Sequence, residues 1–166
     1  MANTTVDNLD FDILKLLQED GRLSYAEIAR ALGISLGTAR YRINKLIEDG
    51  TLRVIGRADP YRIGFLAPAS IQIAIDPAYL IDDIAAQLGN MPEVSYLAML
   101  TGEYDLEVDL MCRDRDHLTD IINRIRALPG VKGTSTRIIL RIYKWAMADL
   151  DLVDPRFGGV NSEKPK

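Results

Sequence analysis

The sequence predicts an α+β chain in which three short helices precede strands and helices in the order βαββαβ. Three observations carry that reading. Up to about residue 50, apolar residues recur three and four apart between the breakers Gly21, Gly33 and Gly50. From residue 66 onward, runs of period two alternate with helical runs. Asp59-Pro60 separates the two regimes. With 166 residues, 48% hydrophobic and 27% charged, the chain has enough apolar material for two small cores.

The first helix presents Leu9, Ile13, Leu16 and Leu17 at helical spacing and stops at Gly21. The second opens with Ser24-Tyr25-Ala26-Glu27, a cap serine with glutamate three residues on, which is the capping-box pattern. It runs through Ile28, Ala29 and Leu32 and closes at Gly33, since glycine tolerates the left-handed helix end. Ser35 caps a third helix, which turns Ala39, Ile43, Leu46 and Ile47 to a core and ends at Gly50. Residues 51–57 alternate enough for a short strand or wing. Residues 1–60 therefore form a first domain with its linker strand.

A strand is expected over residues 66–75, where Ile71, Ile73 and Ile75 alternate, then a helix over 78–88. Strands follow over 94–101 and 104–112, joined by the tight turn Thr101-Gly102-Glu103-Tyr104. A helix over 116–128 ends at Pro129-Gly130, and a long strand runs over 131–145. This order is the split βαβ, or ferredoxin-like, arrangement, and it defines a second domain over 61–149. Residues 150–166, with Pro155, Gly158 and Gly159 in close succession, read as a flexible C-terminal tail.

The net charge of −4 and pI near 5.0 argue superficially against nucleic acid, but the distribution does not. Residues 30–58 carry Arg30, Arg40, Arg42, Lys45, Arg53 and Arg57 against only Glu48 and Asp49. The segments on either side are net acidic. Two short helices with a turn of a few residues, the second bearing the basic excess, describe a helix-turn-helix. With Ala39, Ile43, Leu46 and Ile47 inward, the third helix shows Leu36, Gly37, Thr38, Arg40, Tyr41, Arg42, Asn44 and Lys45 outward. Arginine can fork onto guanine, while Lys, Thr and Tyr reach phosphates. The stretch from Ser35 to Tyr41 should lie deepest in a major groove, with Arg53 and Arg57 on flanking phosphates. The bland alternative is a solvated basic face, and a second is a protein-interaction adaptor. The capped helix pair, the small residues Ala29, Gly33 and Ala39 at the crossing, and the charge contrast favour DNA.

The second domain suggests a dimeriser. Along residues 104–112, Leu106, Val108, Leu110 and Cys112 point one way and Asp105, Glu107 and Asp109 the other. Along the last strand, Thr134, Thr136, Ile138, Leu140 and Ile142 take one face and Arg137, Ile139, Arg141 and Tyr143 the opposite one. A sheet of this type covers one face with its own helices. Its other face, with Ser70, Gln72, Asp105, Glu107, Asp109, Arg137, Ile139 and Arg141, can pack on a twofold-related copy, acids meeting arginines. The alternative is that these rows pair within one sheet and face water. The turn Gly102-Glu103-Tyr104-Asp105, with Thr101 and the hydroxyls of Thr134, Ser135 and Thr136, offers groups for the two charges of a small zwitterion. On composition alone a plain hairpin is the simpler reading.

Other classes are disfavoured. One cysteine, Cys112, and one histidine, His117, leave no Cys-rich or His-rich metal site. His117 is the only candidate imidazole for an enzyme; beside Arg115 and Asp116 at a helix start, it reads as solvated, and no nucleophile motif accompanies it. No catalytic residue, metal or cofactor is expected. No apolar run approaches membrane length and the first residues do not resemble a signal peptide, so a cytoplasmic location is the expectation.

The stretches Leu9-Asp10-Phe11-Asp12-Ile13-Leu14, Asp20-Gly21-Arg22-Leu23-Ser24 and Ala29-Arg30-Ala31-Leu32-Gly33-Ile34-Ser35 resemble the leucine-responsive/asparagine-type (Lrp/AsnC, feast/famine) transcriptional regulators. So do Arg42-Ile43-Asn44-Lys45-Leu46-Ile47-Glu48-Asp49-Gly50, Ala58-Asp59-Pro60 with Gly64, and Thr101-Gly102-Glu103-Tyr104-Asp105. The resemblance spans about residues 8–146. It implies a winged helix-turn-helix followed by a βαββαβ effector and oligomerisation domain, and a regulator of amino-acid-linked metabolism. It further implies dimers that often assemble into octamers on double-stranded DNA, reading semi-palindromic operators. Amino-acid effectors are implied between dimers, near the hairpin of Gly102, Tyr104 and Asp105 and the strand start at Thr134–Thr136.

Overall fold

The computed structural model describes residues 6–144 and 146–157. The chain divides into two compact units, one joining the residues up to Gly56 with those from position 145 onward, the other Arg57–Lys144.

The first unit holds α1 (Asn8–Glu19), α2 (Tyr25–Leu32) and α3 (Leu36–Glu48). Each start is built from a side chain that accepts from an otherwise unpartnered helix amide. Asp7 caps α1 through the Asp10 N–H at 3.0 Å, and Asp10 reciprocates by accepting from the Asp7 N–H at 3.1 Å. Ser24 and Glu27 make the expected box on α2, and Ser35 accepts from the Thr38 N–H at 3.0 Å on α3. Gly33 ends α2 in the left-handed conformation, φ 65°. Ile13, Ile28, Ala29, Ala39, Ile43 and Leu46 form the buried core, each large aliphatic contributing about 1.5–3 kcal/mol. Ile47, expected inward, is instead exposed; with Leu17, Tyr25 and Val54 it lines an apolar groove of about 340 Å³.

Two expectations for this unit are corrected. Residues 51–57 form no strand: after Leu52 donates to the Leu46 carbonyl at 2.8 Å, the segment meets no ladder partner, and Val54 and Ile55 are both exposed. Alternation alone cannot make a strand without a neighbour. The C-terminal segment is not a loose tail as far as residue 157; positions 158–166 lie outside the described residues. Asp154 is fully buried (0% exposed), between Lys15 Nζ at 2.7 Å and the Arg156 guanidinium at 2.7 and 3.0 Å. Arg156 also grips Asp12 of α1 with two bonds of 2.7 and 3.1 Å, and Gln18 donates to the Ala148 carbonyl at 2.9 Å. Lys15 stands over the Phe157 ring, 4.5 Å from its centre. The segment is a strap laid along α1.

The second unit is a four-stranded antiparallel sheet, order β2-β3-β1-β4, made of β1 (Ala67–Ile75), β2 (Val94–Met99), β3 (Leu106–Cys112) and β4 (Val131–Ile138). After β1, a 3-10 turn (Ala78–Leu80) leads into α4 (Ile81–Gly89); α5 (Arg115–Arg126) connects β3 to β4. This is the ferredoxin-like order. Ala69, Ile71, Ile73, Leu106, Val108, Leu110 and Cys112 meet Ile84, Leu88, Leu118, Ile121 and Ile125 in one core. The sheet face away from this core keeps Ser70, Gln72, Glu107 and Asp109 half-buried. The last strand stops at Ile138 rather than running to 145. Ile139 makes the final bond, to the Pro68 carbonyl at 3.0 Å, and Pro68 has no N–H with which to return it. Leu140, Arg141 and Tyr143 are consequently exposed and outside the sheet rows.

Candidate nucleic-acid interface and effector site

On α3 the buried line Ala39–Ile43–Leu46 fixes what faces outward. Tyr41 is 67% and Leu36 55% exposed, and Gly37, Arg40 and Lys45 are exposed with them. Ser35 and Thr38 turn their hydroxyls toward each other at 2.8 Å. Asn44 accepts from the Tyr25 hydroxyl at 3.0 Å, tying α3 to α2. Arg40, Lys45 and Arg53 have no hydrogen-bond or ion-pair partner among the described residues, so their charges are available to an anion. Arg57 falls in the second unit.

Arg42 does not belong with them. Its guanidinium lies 2.6 Å from Asp7 Oδ2 and 3.2 and 3.3 Å from the two carboxylate oxygens of Asp10, and its side chain is only 26% exposed. The sequence expectation that Arg42 reads DNA is therefore corrected: the capping box of α1 takes it as a counter-ion. Sequence reasoning missed Asp7 and Asp10, although Asp-x-x-Asp before an apolar run is a capping signal.

On the open face of the second unit, β1 stands between the acidic and basic rows, and its neutral side chains hold both. Ser70 donates to Glu107 at 2.9 Å and Arg137 donates to Gln72 at 2.7 Å. Burial and the neighbouring Glu107 push the Asp109 carboxyl up from its ordinary value. Arg141 lies over Tyr143, 5.8 Å from the ring centre, not in the row with Arg137. Ile139 is half-buried.

At one end of this sheet the hairpin 100–105 and the start of β4 flank the last residues of β1, because Leu106 and Thr134 both pair with Ile73. Gly102 turns the chain at φ 118°, where glycine alone is at ease. Thr101, Gly102 and Glu103 are exposed and Tyr104 half-buried. The Asp105 carboxylate accepts from the Ile75 N–H at 2.7 Å while its own N–H donates to the Ile73 carbonyl at 2.9 Å. It therefore pins the hairpin to β1. The three hydroxyls split: Thr134 and Thr136 pair with core-facing Ile73 and Ile71, and Ser135 with open-face Gln72. His117, expected to be solvated, is 17% exposed. Its Nδ1 accepts from the Arg113 N–H, leaving Nε2 to face Glu93 at 3.3 Å. Among the described residues no group of three or more His, Cys, Asp or Glu is placed to hold a metal.

Residues 6–53 match a winged helix-turn-helix DNA-binding model, and residues 69–148 match the Lrp/AsnC ligand binding domain. An HTH-type transcriptional regulator of Pyrococcus abyssi is 34% identical over 145 residues, 86% of this chain and 91% of the relative. The regulatory protein AsnC of Escherichia coli is 33% identical over 144 residues, 85% of this chain and 94% of the relative. The chain belongs to the Lrp/AsnC family of transcriptional regulators. The structure of Escherichia coli AsnC superposes with a TM-score of 0.79 at 29% identity, covering 87% of this chain and 98% of AsnC. A Neisseria meningitidis transcriptional regulator in complex with L-Met gives 0.81 at 25% identity, covering 90% and 99%. This Lrp/AsnC protein is thus a DNA-binding transcriptional regulator, with its helix-turn-helix in the first unit and its ligand-binding domain in the second. No helix among its described residues is long and apolar enough to cross a membrane.

Proposed function

We propose that this regulator works in the cytoplasm as a homodimer, further assembled toward an octamer, that reads a semi-palindromic operator and answers to a small amino acid. The observation that carries the reading is the segregation of charge between two surfaces. Arg40 and Lys45 sit on the outward side of α3, while the sheet of the second unit leaves one face, with Gln72, Glu107, Asp109 and Arg137, uncovered by its helices. Reading both half-sites would require the two α3 helices of such a dimer to lie about one DNA turn apart, ~34 Å. Arg40 is the candidate base reader, with Ser35 to Tyr41 deepest, Lys45 and Arg53 on phosphates and Arg57 contributing from the linker.

The exposed hairpin Thr101–Glu103, with Tyr104 and the hydroxyls of Thr134–Thr136, is the candidate effector site. The L-Met complex of the Neisseria relative supports an amino acid as the effector. Asp105 serves there as the brace of the hairpin, its charge close to the ligand. The test is selection of bound duplexes from a random pool, with and without the twenty amino acids. Recovery of a two-fold-related sequence whose occupancy shifts with one amino acid supports the proposal. Enrichment of single half-sites, or indifference to every amino acid, overturns the dimer or the effector part respectively.

A further inference from the structure

Two neighbouring residues at the start of α3 have no explanation inside the folded chain. Gly37 sits on the line Gly37–Tyr41–Glu48, pointing away from the buried Ala39, Ile43 and Leu46. Its φ is not positive, and a Cβ there would meet only Ser35 Oγ at 3.8 Å, an ordinary contact. Alanine would fit, and glycine is the poorest helix former after proline. The fold thus keeps an unfavourable residue for nothing it does internally. Leu36 beside it leaves more than half of an apolar side chain in water. The hydroxyls that could compete for a base edge, those of Ser35 and Thr38, face each other.

We infer that Leu36 and Gly37 form a reader of the thymine methyl group, the missing Cβ letting the helix descend onto the base edges while the leucine covers the C5 methyl. The proposal rests on the reading of α3 as the groove-facing helix and names what its first turn recognises. Thymine is the one natural base that offers an alkyl group in the major groove, and cytosine would set an amino donor against the leucine with no acceptor to meet it. Arg40, one turn further along the same side, would read the adjacent step. Each half-site then requires a T·A pair at a fixed offset from the base that Arg40 contacts.

The experiment uses the full-length protein and its selected duplex, with each thymine in turn replaced by uracil, which removes only the methyl. One uracil per half-site should weaken binding about fourfold, the worth of one buried methyl, and the others should be silent. Leu36→Ala should bind the thymine and uracil forms equally at that position. Gly37→Ala should melt about 4 °C higher yet lose tenfold or more in affinity for the selected duplex. A wild-type protein that keeps its sequence preference but ignores every uracil overturns the methyl reader. So does a Gly37→Ala variant that binds the selected duplex as tightly as wild type. Absence of any sequence preference in the wild type would instead remove the groove-facing reading of α3, and this inference with it.

Discussion

Replacing Arg42 by alanine separates holding the recognition helix from reading DNA with it. The guanidinium makes one short bond to Asp7 and two longer ones to Asp10, whose own carboxylate is almost wholly buried. A hydrogen bond to a charged partner contributes about 1.5–3 kcal/mol when sheltered from water. About a quarter of the Arg42 side chain and half of Asp7 are exposed, so solvent takes back part of this and about 1–2 kcal/mol remains. For a small unit that lowers the melting temperature by about 5–10 °C. Far-UV circular dichroism gives the melt, and fluorescence anisotropy gives affinity for the selected and a scrambled duplex. Both affinities should fall by a similar factor, leaving their ratio unchanged, because Arg42 aims α3 without touching a base. A variant that melts with the wild type and loses only its preference for the selected duplex would refute the argument and return Arg42 to the groove.

Acid should find the same junction. The Asp10 amide, with Arg42 beyond it, holds the Asp7 carboxyl below its ordinary 3.8. A carboxyl depressed on folding stabilises above its unfolded value and stops doing so as pH falls through the folded one. The first unit should therefore be insensitive to this group above about pH 5 and weaken below about pH 4; melting curves in which Asp7→Asn, which can cap but cannot titrate, loses stability as steeply as wild type would count against it. Charge reversal at Glu107 should yield monomers by sedimentation velocity, since the open sheet face is the proposed dimer contact, and a fully dimeric variant sinks that contact. Asp105→Asn retains an acceptor for the Ile75 N–H and should keep the wild-type melt. Asp105→Ala strands that amide and should cost about 1–3 kcal/mol in chemical denaturation. Equal stability of the two would remove Asp105 from its bracing role.

The parts legible in the sequence are those governed by local rules. Ser24 with Glu27, Gly33 and Ser35 set the limits of α2 and the start of α3 through bonds spanning four residues or fewer. The alternation of Ile71, Ile73 and Ile75 named the core face of β1 because a half-buried strand has no other solution. What escaped was long-range. Arg42 looks the same in sequence whether it meets phosphate or Asp7, and only the crossing of α1 with α3 decides. The end of β4 depends on where β1 begins, some seventy residues earlier. Asp154 and Arg156 are ordinary charged residues until Lys15 and Asp12 are brought beside them. The hairpin turn was located by Gly102, yet the bracing of Asp105 on Ile75 had no local signature.

The strap also dictates an order of events during synthesis. A ribosome releases the three helices first, at about 5–20 residues per second, and they can pack Ile13, Ile28, Ala39 and Ile43 at once. The carboxylate that joins Lys15 to Arg156 is not made until the whole of Arg57–Lys144 has passed. Asp12 and Lys15 therefore wait, solvated, for partners at the far end of the chain. A product cut short inside the second unit would carry all three helices but none of the ion pairs that the strap makes with Asp12 and Lys15. The DNA-binding half is thus completed only in chains that already possess the half meant to control it.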